Sequence, residues 1–391
     1  MSDVQFDIDV VVTGIGARSS LGNLATTWMQ LISGKSGLQM SQPFPELSSK
    51  PLGLLGDRPA DFLDLAKTVV VEAIDDADLS PSDLSFSDRS VPTPLRDCGV
   101  VLGSSRSQQG RWEFLNRQMQ TDTLSGWLQA LPHMGAIAIA RFLKTQGPVL
   151  APMAACATGI WAIAQGVQLI RSRQCDRVLA GAVETPITPL TLASFDKMGA
   201  LAKTGCYPFD RHREGLALAE GAALFVLESA AVARQRNAKI YGRILDFGLT
   251  ADSYHVSAPQ PESRGAISAV KTCLDRSGLQ PGDIDYVHAH GTSTRLNDRS
   301  EAYLLQHLFP QGVPVSSTKG ATGHSIGASG ALGVAFCLLA MGDGVLPPCV
   351  GLRDRDFDLD LVETARVAKI DRALCFSFGF GGQNAVVALS R

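Results

Sequence analysis

Apolar residues along this chain fall into two alternating patterns, which are short runs typical of buried strands and longer stretches with helical spacing. Strand-like runs cover residues 10–16, 98–105, 177–183, 284–291 and 313–318. Helical spacing covers residues 61–77, 159–173, 263–278 and 300–309. Because the two kinds of segment alternate over the whole length, the pattern predicts an α/β protein.

Two helical stretches, which begin near residues 159 and 328, are apolar on nearly every side. Such helices lie inside a protein, so we expect layers of sheet outside both of them. Each follows a strand and a turn of small residues, once around Cys156 and once around His324, which suggests two related halves. We place the boundary in the charged segment 233–243 and predict halves of residues 1–237 and 238–391.

Composition narrows the class of protein. Hydrophobic residues make up 45% of the chain, charged residues 19%, and the formal net charge is −3, so we expect a compact protein without nucleic acid or membrane as partner. The longest apolar stretch, residues 326–342, is glycine-rich and short for a membrane span, which favours a buried helix. Residues 41–60 and 80–97 are rich in Pro, Ser and Asp and are predicted to be surface loops.

The eight cysteines are scattered, with no pair at the spacing of a metal site or a disulfide framework, which predicts reduced thiols in a cytoplasmic protein and no bound metal. Cys156, in the segment AACATG, is the exception of interest. A lone cysteine is more often a small buried apolar residue than a nucleophile. However, its expected place in the first turn of a helix favours the thiolate, and its small neighbours leave room for a substrate.

Three later segments carry further candidates. Strand alternation in YVHAHGTSTR puts His288 and His290 on one face, with His290 at the strand end. Lys319 and His324 share the glycine-rich segment STKGATGHSIGASG, and FSFGFGGQN near the end combines glycines with two phenylalanines. Taken singly, each is also explained as a structural histidine or a tight turn.

Together and in this order, these segments resemble those of the β-ketoacyl-acyl-carrier-protein synthases, the elongating condensing enzymes of fatty acid and polyketide synthesis. The likeness runs over nearly the whole chain and includes VVTGIGARSSLG, GVVLGSS and YPFDRHREG. It implies a thiolase-like fold of two similar halves in five layers, helix, sheet, helix, sheet, helix. It also implies a cytoplasmic homodimer that works with an acyl carrier protein. No permanently bound cofactor is implied, because the phosphopantetheine arm of the carrier brings the substrate.

The resemblance also assigns roles. Cys156 would hold the acyl chain as a thioester, and His290 and His324 would hold the carbonyl of a malonyl thioester. The residues implied to support the histidines or to contact substrate are Lys319, Glu301, Thr292, Thr294, Phe378 and Phe380, of which Phe380 would gate acyl entry and donate a backbone N–H. Thr292 and Thr294 are equally well explained as hydroxyls that cap a turn.

Two departures from the family pattern affect the expected acyl pocket. Where the family has glycines and an apolar residue, this chain reads SSRSQQG, which places Arg106 near the acyl tunnel. In GLALAEG, Leu216 replaces an aromatic residue. The acyl chain length is therefore left open.

Two other functions fit parts of the pattern. A papain-like hydrolase would use Cys156 with His290 but would leave His324, Lys319 and the last glycine loop without a role. A catalytically inactive partner subunit, like the chain-length factors that share the synthase fold, would lack the reactive cysteine. The retention of Cys156 and both histidines favours the enzyme.

Overall fold

The computed structural model describes residues 8–79, 95–117 and 126–391. The predicted loop at 80–97 therefore lies mostly outside the described residues. The α-helices in these ranges are α1 (Leu24–Ile32), α2 (Phe62–Asp76), α3 (Gln109–Arg117), α4 (Met134–Leu143), α5 (Thr158–Arg171), α6 (Pro189–Lys197), α7 (Ala230–Gln235), α8 (Arg264–Ser277), α9 (Arg295–Leu308), α10 (Lys319–Thr322) and α11 (Ser329–Asp343).

The strands in the same ranges are β1 (Val10–Ser19), β2 (Gly22–Asn23), β3 (Gln39–Ser41), β4 (Lys50–Leu52), β5 (Cys98–Gly103), β6 (Val149–Leu150), β7 (Arg177–Glu184), β8 (Gly221–Ser229), β9 (Gly242–Ala251), β10 (Tyr286–His288), β11 (Val315–Ser316), β12 (Val345–Leu346), β13 (Arg366–Val367), β14 (Arg372–Gly379) and β15 (Gln383–Ser390). The predicted strands all occur, but β10 and β11 are shorter than their apolar runs. The helix predicted at 300–309 begins earlier, at Arg295, where the Thr294 side chain accepts a hydrogen bond from the Asn297 backbone N–H.

Ten of these strands form one continuous path in the order β11, β10, β14, β15, β9, β1, β8, β7, β5, β6, with β2 attached to β1. β1 pairs antiparallel with β8 along its length and with the start of β9 on its other side, at Val10, Val11 and Val12. This short contact joins the strands on either side of residue 237 into one sheet. We call the strands before residue 237 the first group and those after it the second group.

The helices complete five layers. α2 and α4 cover the outer face of the first group of strands, α8 covers the outer face of β9 and β15, and α5 and α11 lie between the two groups and touch each other. The predicted α/β fold with two central buried helices is therefore confirmed.

The contact between α5 and α11 depends on a glycine. A Cβ atom at Gly159 would lie 2.6 Å from the backbone nitrogen of Ala331 and 2.9 Å from the carbonyl oxygen of Gly327, so any larger residue would push the two helices apart. Because Cys156 precedes α5 and His324 precedes α11, this close packing brings the two segments together.

The apolar stretch from Ile326 to Asp343 has the length and composition of a membrane span, and 83% of it is buried inside the protein. It is the only helix of that kind in the described residues. Its burial among the strands agrees with the expectation of a core helix.

Candidate active site

Cys156, His290 and His324 meet at one point between the two groups of strands. The Cys156 Sγ and one ring nitrogen of each histidine lie within 4.8 Å of one another. The residues are 6%, 2% and 1% exposed, respectively. These three were predicted from separate segments, and the fold brings them together.

This trio has the atom types of a zinc site. The buried Lys319 ammonium, however, bonds to His290 and acts on all three residues. A second cation would be repelled at such short range in a dry site. The arrangement is therefore better suited to a thiol nucleophile facing two hydrogen-bond donors than to a metal.

Cys156 lies on a tight turn between β6 and α5. The preceding Ala155 has a φ of +47°, a conformation that costs energy for a residue with a side chain. The Ser377 hydroxyl donates to the Cys156 carbonyl at 2.8 Å. A Cβ at Gly379 would lie 2.9 Å from the Cys156 nitrogen, so the last glycine loop touches the backbone of the cysteine directly.

The expectation of a resting thiolate is wrong. Helix α5 begins at Thr158 with Ala157 as its N-cap, so Cys156 lies outside the first turn, where the helix dipole is weaker. Burial raises the pKa of the Cys156 thiol to about 11, although the Lys319 and Arg106 charges and the Phe380 backbone N–H act in the opposite direction. The sulfur is therefore protonated at neutral pH.

His290 follows β10 and is fixed through its backbone. Its N–H donates to a carboxylate oxygen of Glu301 at 2.6 Å, and the Gly291 N–H donates to the other oxygen at 2.7 Å. The Lys319 ammonium lies 3.5 Å from His290 Nδ1 and also donates to the His290 carbonyl. Because an ammonium can only donate, Nδ1 is assigned as the acceptor and Nε2 carries the proton.

His324 is held by a hydroxyl at its ring and by backbone pairing. Its Nδ1 lies 2.8 Å from the Ser329 hydroxyl. With this hydroxyl as the donor, Nδ1 is the acceptor and the ring proton is on Nε2. Its backbone pairs with Ala217 and Ala219. Burial, followed by the Lys319 charge, holds the pKa of both His290 and His324 well below the usual value. Both imidazoles are therefore neutral, with one N–H each.

Lys319 and Glu301 are the buried charged groups behind the histidines. Burial lowers the pKa of the Lys319 ammonium, while the Glu301 charge acts in the opposite direction. Burial raises the pKa of Glu301 to about 7, against the effect of the Gly291 and His290 N–H groups that it accepts. Each of these groups makes the other's charge less costly in the interior.

A cavity of about 860 Å³ opens onto this site, which is large enough for an extended small-molecule arm. The predicted substrate residues that line it are Leu216, Thr292, Thr294, Phe378 and Phe380. Thr294 also caps α9 and its hydroxyl lies 2.9 Å from that of Thr292, so the capping role considered for these threonines applies to Thr294. Arg106 is not among the lining residues and lies instead over the ring of Phe195, at 5.6 Å from its centroid.

His288 lies away from the site. Its Nε2 is 3.1 Å from the Thr318 hydroxyl, and its Nδ1 is 3.8 Å from Cys375 Sγ. Its side chain points to the neighbouring strand β14 and helix α11. The sequence did not single out Ser329 and Ser377, because a serine in a glycine-rich segment carries no signal of its partner.

Comparison with known proteins agrees with this geometry. The fold is the thiolase-like fold of solved ketosynthases. Residues 7–233 match the N-terminal domain of the beta-ketoacyl synthases and residues 241–353 match their C-terminal domain. The chain belongs to the beta-ketoacyl synthase family, and is an acyltransferase that forms 3-oxoacyl products by condensation.

Relatives match over nearly the whole chain. The 3-oxoacyl-(acyl-carrier-protein) synthase 2 of Coxiella burnetii is 34% identical over 412 residues, which cover 98% of each chain. A solved beta-ketoacyl synthase from Burkholderia phymatum superposes with a TM-score of 0.87 at 28% identity, covering 98% of this chain and 99% of that one. A ketosynthase described in complex with its type II polyketide acyl-carrier protein superposes with a TM-score of 0.88 at 26% identity, with the same coverage.

Proposed function

We propose that this enzyme extends an acyl chain held on Cys156 by two carbons taken from a malonyl thioester on an acyl carrier protein. The observation that carries the proposal is the placement of the Cys156 sulfur beside two neutral imidazole donors, at the end of a cavity. The pathway is fatty acid synthesis or a related lipid or polyketide route.

In the first half-reaction, the sulfur of Cys156 attacks the thioester carbonyl of an acyl-carrier protein. A new carbon–sulfur bond forms, the old one breaks, and the thiol proton ends on the sulfur of the departing carrier. Because the thiol has a raised pKa, of about 11, its proton must leave as attack proceeds rather than beforehand. We assign the backbone N–H of Phe380, which acts on the Cys156 thiol, as the donor that receives the oxyanion.

In the second half-reaction, malonyl-carrier protein loses CO2, and the electron pair of the broken carbon–carbon bond becomes an enolate. Its oxygen accepts hydrogen bonds from Nε2–H of His290 and of His324. The enolate carbon attacks the acyl carbonyl on Cys156, the carbon–sulfur bond breaks, and the sulfur takes up one proton. Per turnover, acyl-Cys156, malonyl-carrier and a proton give 3-oxoacyl-carrier, CO2 and the free thiol.

Other parts of the proposal rest on the family. A carrier protein as partner is supported by the related ketosynthase described in complex with its acyl-carrier protein. We further propose a cytoplasmic homodimer, a division of the chain into halves at residue 237, and phosphopantetheine contacts from Thr292 and Thr294. A catalytically inactive chain-length factor is disfavoured, because Cys156 and both histidines are present and meet.

The experiment is intact-protein mass spectrometry after incubation with acyl-carrier protein. We expect a mass increase equal to one acyl group, located at Cys156 by peptide mapping and absent from Cys156→Ala. The matched control is Cys175→Ala, since Cys175 lies just beyond the other end of α5 and away from the site. If the wild type forms no adduct with any acyl chain, or if Cys156→Ala still condenses, the proposal is wrong.

A further inference from the structure

Arg106 is a half-buried cation whose Nε atom is buried. It follows β5, where a strand of apolar residues ends, and its guanidinium lies over the ring of Phe195. Its Nε atom is buried and has no hydrogen-bond partner, and among the described residues no carboxylate forms an ion pair with it. A buried guanidinium donor without an acceptor is costly, so a site that retains one usually supplies the acceptor from elsewhere.

The position of Arg106 connects it to the nucleophile. The Phe195 ring stacks on the Phe380 ring with centroids 5.9 Å apart. Both rings pack in the same apolar cluster as Cys156. The Arg106 charge also acts on the Cys156 thiol directly. An acyl chain on Cys156 that extends into this cluster therefore passes close to the guanidinium.

Arg106 and Glu184 attract each other without forming an ion pair among the described residues. Glu184, which is fully buried and accepts from the Ser105 backbone N–H, lies in the same region but forms no ion pair with Arg106. A second cavity of about 600 Å³ adjoins the segment that follows Arg106, and its lining includes Gln108, Arg111 and Glu113. The lining of this second cavity is thus polar as well as apolar.

We propose that Arg106 is a specificity-determining residue that selects acyl chains bearing an oxygen acceptor, such as a keto group, over unsubstituted alkyl chains of the same length. This rests on the proposed function, in which Cys156 carries the acyl chain. An alkyl chain would exclude water from the guanidinium and give nothing in return. A carbonyl oxygen would accept the unpaired N–H in a charge-assisted hydrogen bond.

The test compares rates of Cys156 acylation by pantetheine thioesters of one chain length. The probes are octanoyl-pantetheine and its 3-oxo, 5-oxo and 7-oxo forms, followed by mass spectrometry in the wild type and in Arg106→Leu. Each oxo rate is divided by the octanoyl rate of the same protein, which cancels differences in overall activity between the proteins. Comparison of this ratio between the two proteins then cancels differences in chemical reactivity between the probes. For at least one oxo position, we expect this ratio to be about 10 to 100 times lower in Arg106→Leu, as for the loss of one charged hydrogen bond.

Arg141→Leu is the control, because Arg141 is exposed on α4 and its replacement removes the same charge. Its ratios should equal those of the wild type. If all ratios are unchanged in Arg106→Leu while Cys156 is still acylated, the inference about Arg106 is overturned and the proposed function stands. If no probe and no carrier thioester acylates the wild type, the proposed function itself fails.

Discussion

Replacement of His324 by alanine tests the proposed enolate site most directly. His324 contributes one N–H, at Nε2, and its ring is held by Ser329 at 2.8 Å and by burial. Since the ring is neutral, its loss removes one directed donor and no net charge. We therefore expect the loss to fall on the step in which negative charge develops on oxygen.

The magnitude follows from donors of this type. Removal of one preorganised donor to an oxyanion costs about 2.7 to 4 kcal/mol, or about 100- to 1,000-fold in rate. Release of CO2 from malonyl-carrier protein by His324→Ala should fall by that factor. Acylation of Cys156, which does not use the enolate oxygen, should change much less, and intact-protein mass spectrometry measures it on the same samples.

Two further variants make the result interpretable. His324→Asn retains an N–H donor on a shorter side chain and should lie between alanine and the wild type. His288→Asn changes a buried histidine that bonds to Thr318 rather than to the site, and should leave CO2 release nearly unchanged. Equal losses of acylation and CO2 release in His324→Ala, or unchanged CO2 release, would refute the assigned role.

Three other changes test separate parts of the site. Because burial raises the pKa of Cys156 to about 11, its alkylation by iodoacetamide should rise about tenfold per pH unit from about pH 7 to about pH 9, and a plateau below pH 8 would contradict this. Burial also raises the pKa of Glu184 from 4.5 to about 7. Because the carboxyl binds its proton more tightly in the folded state, the free energy of unfolding falls as pH rises from about 4.5 to 7. The free energy of unfolding, measured with urea, should fall by about 2 to 3 kcal/mol less between pH 5 and pH 8 in Glu184→Gln than in the wild type. An unchanged dependence of this free energy on pH would argue against a buried, titrating carboxyl. Gly379→Ala should abolish condensation, because its Cβ would lie 2.9 Å from the Cys156 nitrogen, whereas Gly56→Ala, with no atom within 4 Å of the new Cβ, should not.

Local patterns in the sequence predicted most of the fold and the three central residues of the site. Apolar runs located the strands around β5 and β7, and all-round apolar character identified α5 and α11 as internal helices. Cys156 and the two histidines were found because each stands in a recognisable short segment.

What the sequence could not predict are contacts between segments far apart in the chain. Gly379 is needed because its backbone meets Cys156, and Ser377 because its hydroxyl holds the cysteine carbonyl. Neither distance is encoded in the segment itself. The error on the thiolate has the same origin, since a helix end is local whereas the burial that dominates the pKa of Cys156 comes from the whole core.

One buried cation links the three central residues electrostatically. Lys319 lowers the pKa of His290, of His324 and of Cys156 alike. For the histidines this reinforces burial and keeps them neutral donors, while for the thiol it opposes burial and makes attack easier. A positive charge at this point therefore suits both half-reactions, which need a sulfur that can lose its proton and imidazoles that do not gain one. Glu301 makes that charge tolerable in the interior, as its own charge raises the pKa of Lys319 against the effect of burial.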